Sequence, residues 1–442
     1  MEKGIFKRAD IRGFYPSEIN ENVAAKIGFC TAKMTTGKKV LLGLDRRDNS
    51  QKLAQALVFG LNQAGKEIDS LGQIPIEVFY FVVGKNDFDL GIYITGSHCE
   101  WRESGFKIVE KNTIPFATDG KLDELKKIFL KTDFQYQNTR SVDLQTINAL
   151  PLYKDFISSQ IDINNLRGKI QFISLGGIAE ELIKTIFQDS NLNLKIQSLF
   201  QEDLNNLPPN PLLKEIQVLL KDQFDQTVDL IAVTDGDGDR AIFFDPQTKD
   251  MIFPDFIAAI LAQSILSQEK GPIVFDCSKK MALAKIAKNL GIEFFQTKVG
   301  YPFVKSKMRE MGAVFGGEVS GHYFYPHNFY SESSILTIGL VLQYLNNNNL
   351  SLSNAVAELK KEIFSLPQEN LQNIDFEKTK ENLLKEFSEA KSSFLDGLIL
   401  ETENWYLNIR PSQNEPLVRL NLETNSEKTL EDIYQRVKKQ LI

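Results

Sequence analysis

Strand-like and helix-like stretches take turns along most of this chain, and the cycle begins three times. Lys39-Val-Leu-Leu-Gly-Leu-Asp45 reads as a strand, Ser50 as the cap of an amphipathic helix to about Gly65, and Asp89-Leu-Gly-Ile-Tyr-Ile-Thr95 as another strand. Near residue 169 the cycle restarts with Ile170-Gln-Phe-Ile-Ser-Leu175, glycines at 176 and 177, and a helix to about Phe187. A third round has a helix over 253–268, the strand Ile273-Val-Phe275, a helix over 281–289 and the strand Glu293-Phe-Phe295. Strands interleaved in this way with helices predict α/β units on mainly parallel sheets, here three related ones. The run Asn346-Asn-Asn-Asn349 reads as an exposed connector. Beyond it come a helix over about 351–364, a stretch rich in lysine and glutamate, paired strands near 396–423 and a closing helix from about Ser426. That order predicts a smaller α+β module. The expected domains are residues 1–140, 141–246, 247–349 and 350–442.

The length agrees, since 442 residues exceed one compact core at about 150 residues per domain. A net charge of −7 argues against a nucleic-acid binder that relies on bulk positive potential. It leaves room for a small anionic substrate met by a few focused cations. No apolar run approaches the ~18 residues needed to span a bilayer, and Met-Glu-Lys-Gly-Ile-Phe-Lys-Arg has no signal-peptide core. Cys30, Cys99 and Cys277 lack metal-like spacing, and their odd number disfavours a disulfide framework. A cytoplasmic protein with no membrane partner is expected.

Between the apolar stretches Leu230-Ile-Ala-Val233 and Ala241-Ile-Phe-Phe244 lies Thr-Asp-Gly-Asp-Gly-Asp-Arg, which places Asp235, Asp237 and Asp239 on a loop between buried strands. Three carboxylates within five residues repel one another unless a cation joins them. Mg²⁺ suits the set, because it takes carboxylate oxygens and keeps positions open for water or a phosphoryl oxygen. Gly236 and Gly238 free the backbone to aim the side chains at one point. A solvated acidic turn is the competing reading. An EF-hand is excluded, since no glutamate falls at the twelfth loop position.

Three further glycine-marked loops stand out. Ile94-Thr-Gly-Ser97-His98 follows a strand and would expose a serine hydroxyl, with Lys107 returning nearby on Ser104-Gly-Phe-Lys107. In Gly316-Gly-Glu318-Val-Ser320-Gly-His322, glutamate, serine and histidine alternate and would face one side of an extended segment, a row suited to a polyol. Arg410-Pro-Ser-Gln-Asn-Glu-Pro416 joins two apolar strands and offers an arginine, a serine and two amides as an anion nest. Each is also compatible with an ordinary structural turn.

Taken in order, these loops resemble the α-D-phosphohexomutase superfamily, within it the phosphomannomutase/phosphoglucomutase branch. The likeness rests on Asp10-Ile-Arg-Gly13, Thr95-Gly-Ser-His98, Pro208-Pro-Asn-Pro211, Asp235-Gly-Asp-Gly-Asp-Arg240, Thr297-Lys-Val-Gly300, Gly316 to His322 and Arg410 to Pro416. It implies three mixed-sheet α/β domains and a smaller C-terminal α+β domain around a central cleft, one functional loop coming from each. It also implies an enzyme that interconverts hexose 1-phosphates and 6-phosphates, of mannose or glucose, through a phosphoserine and a bisphosphorylated sugar. Ser97 would carry the phosphoryl group, with Arg12, His98 and Lys107 beside it. Mg²⁺ would be held by Asp235, Asp237, Asp239 and an oxygen of phosphorylated Ser97. Arg240 would approach the reacting phosphate or the sugar, Glu318, Ser320 and His322 the sugar hydroxyls, and Lys298 and Tyr301 the third-domain side. Arg410, Ser412, Gln413 and Asn414 would grip the non-reacting phosphate. The implied partners are sugar monophosphates, with a sugar 1,6-bisphosphate as activator, and the implied assembly is a monomer or homodimer.

Several positions depart from the family pattern. Gly96 stands for alanine, Cys99 and Glu100 for asparagine and proline, Glu103 and Ser104 for tyrosine and asparagine, Tyr301 for histidine and Asn414 for threonine. Val319 replaces the methionine common among phosphomannomutases and the glutamine of phosphoglucosamine mutases, which disfavours an amino sugar. The alternatives are a Mg²⁺-dependent phosphatase, a phosphoglucosamine mutase and a non-catalytic paralogue that binds sugar phosphates without carrying phosphate on Ser97.

Overall fold

Apolar strands that alternate with amphipathic helices must bury one helix face against a sheet, and the chain does so on four sheets. The computed structural model describes residues 2–137, 144, 146–412 and 416–442. Its contacts divide the chain into two compact units, Met1–Ile252 with His322–Asn347, and Phe253–Gly321 with Asn348–Ile442.

The first unit contains two sheets built to one plan. In the first, Lys39–Leu44 lies between Glu67–Gln73 and Leu90–Ile94 and runs parallel to both. Glu103–Glu110 then pairs antiparallel with Leu90–Ile94, and Ile11–Phe14 antiparallel with Glu103–Glu110. In the second, Arg167–Leu175 runs parallel to Asn191–Leu199 and Leu230–Thr234, and Ile242–Phe244 is antiparallel to Leu230–Thr234. Leu90–Ile94 and Leu230–Thr234 are buried along their whole length, as strands covered on both faces must be. Residues 95–102 and 235–241 therefore occupy equivalent places. Each leaves the carboxyl end of a parallel strand and turns back as an antiparallel neighbour.

In the second unit, Ile273–Asp276 runs parallel to Phe294–Thr297 and Phe315–Gly317. Residues 318–322 follow the last of these and lead to Tyr323–Tyr325, which pairs with Ser331–Glu332 in the first unit. The C-terminal sheet is antiparallel, with Trp405–Pro411 between Leu398–Glu401 and Leu417–Thr424. The closing helix Glu427–Lys438 is capped by Ser426, whose hydroxyl accepts from the Thr429 amide. Mixed α/β sheets followed by an antiparallel α+β module are the expected class.

Two local expectations are corrected by the structure. Ser50 does not cap its helix: it is the first residue of Ser50–Gln63, and its hydroxyl donates to Asp45 Oδ1 at 2.5 Å. Asn346–Asn349 is exposed from Asn347 on, and the division between the units falls within it, but it is not a loop: the helix Ser334–Asn348 runs through its first three residues. Ile335, Leu336, Ile338, Val341, Leu342 and Leu345 are buried on that helix, and tertiary burial overrides the weak helical preference of asparagine. No helix among the described residues is long and apolar enough to cross a membrane.

The helices Glu21–Ala32 and Ser50–Gln63 pack closely because two glycines face the contact. A Cβ at Gly60 would lie 1.9 Å from the Ala25 carbonyl oxygen, and one at Gly28 2.4 Å from that of Leu57. Gly60→Ala gains about 1 kcal/mol of helix propensity. It meets a backbone oxygen that cannot rotate away, and overpacking of this kind costs about 1–3 kcal/mol. The variant should unfold at a lower temperature than the wild type in a thermal scan. An unchanged or raised midpoint would show that the two helices separate freely.

Candidate active site

The strand Leu230–Thr234 delivers Asp235, Asp237 and Asp239 into the interior, each at most 1 % exposed, so the triplet is not a solvated turn. One ligand oxygen from each lies within 4.8 Å of the others. Lys107 Nζ sits 2.8 Å from both Asp237 Oδ2 and Asp239 Oδ2, and His322 Nε2 lies 3.0 Å from Asp239 Oδ1. Arg240 donates its amide to Asp235 Oδ1 and brings Nε to 3.3 Å from Oδ2. Burial, with Asp239 and Asp237 adding their charges, pushes Asp235 up to about 8, and burial with Asp239 raises Asp237 as well. Burial would also raise Asp239, but Lys107, His322 and Arg240 outweigh it and hold that carboxyl well below its usual range. Asp237 Oδ1 is buried without a hydrogen-bond partner, and Asp235 Oδ2 has only the Arg240 ion pair. Under-satisfied oxygens on converging carboxylates fit a hard divalent cation, which would displace the protons held there. Gly238 has the positive φ the loop was expected to need, +77°. Gly236 serves a different purpose, since a Cβ there would lie 2.4 Å from the Ser97 carbonyl oxygen.

That close approach joins the serine loop to the metal loop. Ser97 takes φ +48° and is 2 % exposed, so the expected exposed hydroxyl is a buried one. The reason is the second sheet, whose loop covers it. Ser97 donates its amide to Thr95 Oγ1 at 2.6 Å, and Thr95 Oγ1 lies 3.4 Å from Asp237 Oδ2. His98 Nδ1 is 3.1 Å from Ser97 Oγ and 2.7 Å from Arg240 Nη2. A guanidinium only donates, so Nδ1 carries the lone pair. Burial, then Arg240, Arg12 and His322, hold His98 well below its ordinary pKa, which makes it a neutral acceptor. Arg12 reaches Cys99 Sγ at 2.7 Å and Asp10 Oδ2 at 2.5 Å.

Sequence reading missed the residues that brace this loop. Arg47 donates to the carbonyls of Ser97, Cys99, Glu100 and Glu103 at 2.5–3.1 Å. Asp45 accepts from the amides of Gly96 and Arg47 at 3.1 Å each. Trp101 donates its indole N–H to the Leu207 carbonyl at 2.8 Å, tying the loop to the segment whose Asn210 meets Arg240 Nη1 at 3.3 Å. The available signal was an aspartate and an arginine directly after a buried strand.

Residues 318–321 form a turn, closed by the Gly321 amide on the Glu318 carbonyl with Gly321 at φ +85°, so the expected extended row does not exist. Gly321 allows the reversal, and His322 takes part in the Asp239 contact described above. In the second unit, Glu318 Oε1 accepts from the Gly300 amide at 2.7 Å, and Ser320 Oγ lies 3.4 Å from Glu318 Oε2. Asp276 Oδ2 accepts from the Val319 amide at 2.7 Å, and burial together with Glu318 pushes Asp276 up to about 6. Lys298 is exposed, whereas Tyr301 is buried at the start of the helix Tyr301–Met311. Arg410, 3 % exposed, has a buried Nε without a hydrogen-bond partner. Its cross-strand register partner is Arg419, a like-charge pair that an anion would relieve and that sequence reading overlooked. Burial lowers the Arg410 pKa and Arg419 lowers it further, against Asp396. Ser412 donates its amide to the Leu417 carbonyl at 2.7 Å. Gln413 and Asn414 lie outside the described residues.

Residues 3–136, 151–248 and 253–363 match the phosphoglucomutase/phosphomannomutase alpha/beta/alpha domains I, II and III, respectively. A phosphomannomutase of Methanocaldococcus jannaschii is 30 % identical, covering 98 % of this chain and 96 % of that protein. One of Vibrio cholerae is also 30 % identical, covering 95 % and 94 %. A solved phosphoglucomutase/phosphomannomutase family protein from Burkholderia thailandensis has the same fold, with a TM-score of 0.82 at 24 % identity over 100 % of this chain and 97 % of that one. The chain belongs to the phosphoglucomutase/phosphomannomutase family of the α-D-phosphohexomutase superfamily and is a mutase that transfers phosphoryl groups.

Proposed function

We propose that this mutase interconverts the 1- and 6-phosphates of mannose and glucose through phosphorylated Ser97 and a sugar 1,6-bisphosphate. The observation that carries the reading is a buried Ser97 whose hydroxyl meets His98 Nδ1 and whose amide is linked through Thr95 Oγ1 to Asp237 of the buried aspartate loop. In the forward step the bond between phosphorus and Ser97 Oγ breaks as one forms to a sugar hydroxyl oxygen. The hydroxyl proton leaves to a base, and the free Ser97 oxygen regains a proton. Turned over in the site, the bisphosphate returns its other phosphoryl group to Ser97.

Phosphoryl transfer needs positioning and neutralised charge above all. Mg²⁺ held by Asp235, Asp237 and Asp239 would supply charge neutralisation at the phosphoryl oxygens. Lys107, which lies between Asp237 and Asp239, is the residue that would exchange the proton of the sugar hydroxyl. Arg240 and Arg12 steady the phosphoryl group, and neutral His98 accepts the hydrogen bond of the free Ser97 hydroxyl. Glu318 and Ser320 take hydroxyls common to both orientations of the sugar. Arg410 and Ser412 hold the phosphate that is not reacting, with Arg419 as a second cation. Binding energy spent on that remote phosphate helps exclude water from the reacting one.

Ser97→Ala should abolish mutase turnover, and its intact mass should stay unchanged after incubation with glucose 1,6-bisphosphate, while the wild type gains one phosphoryl group. More than a few per cent of wild-type activity in the variant would remove Ser97 from the mechanism. A wild type that binds sugar phosphate but never gains mass would identify a non-catalytic paralogue, and stoichiometric phosphate release a phosphatase.

Asp237→Asn keeps the side-chain volume and removes a charge from the cation site. Activity at a fixed low Mg²⁺ concentration should fall on the order of tenfold or more, with partial recovery as Mg²⁺ is raised. Full activity of the wild type in excess chelator would contradict the metal assignment.

Nothing identified in the sugar loop pairs with the C2 hydroxyl, the position at which mannose and glucose differ. A site without a dedicated polar partner there discriminates by steric fit alone, within about a hundredfold, whereas one built to pair a hydroxyl rejects its absence by ~10⁴-fold. The values of kcat/KM for mannose 1-phosphate and glucose 1-phosphate should therefore lie within about a hundredfold, and N-acetylglucosamine 1-phosphate should be far poorer. Parallel assays on one preparation check this. A preference above about a thousandfold for one hexose, or a best rate on the amino sugar, would refute the reading of the sugar loop.

A further inference from the structure

Glu77 is a carboxylate with no solvent exposure, in the first turn of the helix Ile76–Lys85. A group this costly to bury is held only where its hydrogen bonds are made, and here they come from several parts of the first unit. Oε2 accepts from the Tyr153 hydroxyl at 2.7 Å, from the Ser333 hydroxyl and from the Ile335 amide at 3.4 Å. Oε1 meets the Ser334 hydroxyl at 2.7 Å.

Two contacts lead from this cluster to the aspartate loop. The Ile76 amide donates to the Asp237 carbonyl at 3.1 Å, and Ser334 Oγ lies 2.8 Å from the Gly238 carbonyl. The Asp237 carbonyl is thus held by the amide of the residue preceding Glu77, and the Gly238 carbonyl lies against a hydroxyl for whose single proton Glu77 competes. The Ser334 hydroxyl has one proton and two acceptors within reach, so its geometry against Gly238 depends on what occupies the Glu77 position. The peptides of residues 237 and 238 lie between two of the three converging carboxylates, where a small rotation changes how well they point at one ion.

We propose that Glu77, acting through Ser334 and the Ile76 amide, is a positioning residue that sets the loop of Asp235, Asp237 and Asp239 in the conformation that binds the cation. It touches neither substrate nor ion. The inference rests on the reading of that loop as a Mg²⁺ site. Partners of metal ligands characteristically change affinity by about 10- to 100-fold when removed, and Glu77, one step further out, falls at the low end.

The test is calorimetric titration of Mg²⁺ alone into the full-length protein and three variants, with thermal midpoints recorded beside each. Glu77→Leu and Ser334→Ala should each weaken Mg²⁺ binding by about tenfold. The double variant should be no weaker than Glu77→Leu, because both changes remove one coupled contact. Glu77→Gln, which keeps the hydrogen-bonding shape, should stay within about threefold of the wild type. If Glu77→Leu does not fold, Ser334→Ala carries the measurement. Lowered midpoints with Mg²⁺ affinity within about twofold of the wild type would make the cluster a purely structural brace and overturn the inference, as would a loss in Glu77→Gln equal to that in Glu77→Leu. A wild type that binds no Mg²⁺ overturns the cation reading and this inference together, whereas intact wild-type binding with unaffected variants overturns this inference alone.

Discussion

Three carboxylates buried within 4.8 Å of one another cannot all stay ionised unless positive charge is brought to them. Two like charges 4 Å apart repel by about 4 kcal/mol at an effective dielectric of 20, a large fraction of the stability of a typical domain. The first unit meets this by aiming cations and donors inward from separate elements: Lys107 from the strand Glu103–Glu110, Arg240 from the loop itself and His322 from a returning segment. Lys107 stands between Asp237 and Asp239 as a counterion. Because Lys107 belongs to the first sheet and the aspartates to the second, the same ion pairs fix the serine loop against the metal loop. Charge neutralisation and the alignment of the two loops therefore come from the same contacts.

Topology decides where such a contact can form. In each α/β sheet the functional loop leaves the carboxyl end of a parallel strand, the end at which open α/β sheets place their ligands. Residues 95–102, 235–241 and 318–322 all occupy that position, after Leu90–Ile94, Leu230–Thr234 and Phe315–Gly317. An antiparallel return in the first two sheets keeps these loops short, and short loops on packed strands hold side chains more firmly than long ones. Arg410 and Arg419 instead lie on neighbouring antiparallel strands, where the register alone sets them opposite each other.

The α/β alternation, the C-terminal module and the aspartate loop were legible in the sequence because each leaves a local signal: a period, a change of composition, a cluster of like charges. What escaped depended on contacts between distant positions. Arg47 braces carbonyls fifty or more residues away, Arg419 acquires meaning only from strand register, and Glu77 looks like an ordinary charged residue at a helix start. The errors have the same origin. Ser97 was expected on the surface because its own loop is short and polar, and burial came from the second sheet. The row Glu318-Ser320-His322 assumed an extended backbone, and one reversal at Gly321 cancelled its periodicity.

The departures of the serine loop from its family pattern can now be judged by what the replacing residues do. Loss of the usual asparagine and proline at 99 and 100 removes a polar partner and a rigid turn, which would be expected to loosen Ser97. Cys99 nevertheless gives its sulfur to Arg12, and its carbonyl is one of those gripped by Arg47. Trp101 packs its indole against the core of the second sheet while its N–H reaches the Leu207 carbonyl. Held on one side by a guanidinium and on the other by an indole, the loop keeps φ +48° at Ser97 without a proline. Strain of that kind persists only when neighbours over-determine it, and here they do. The altered sequence thus exchanges local rigidity for tertiary bracing, and the hydroxyl keeps its neutral histidine while the Ser97 amide stays linked to Asp237 through Thr95.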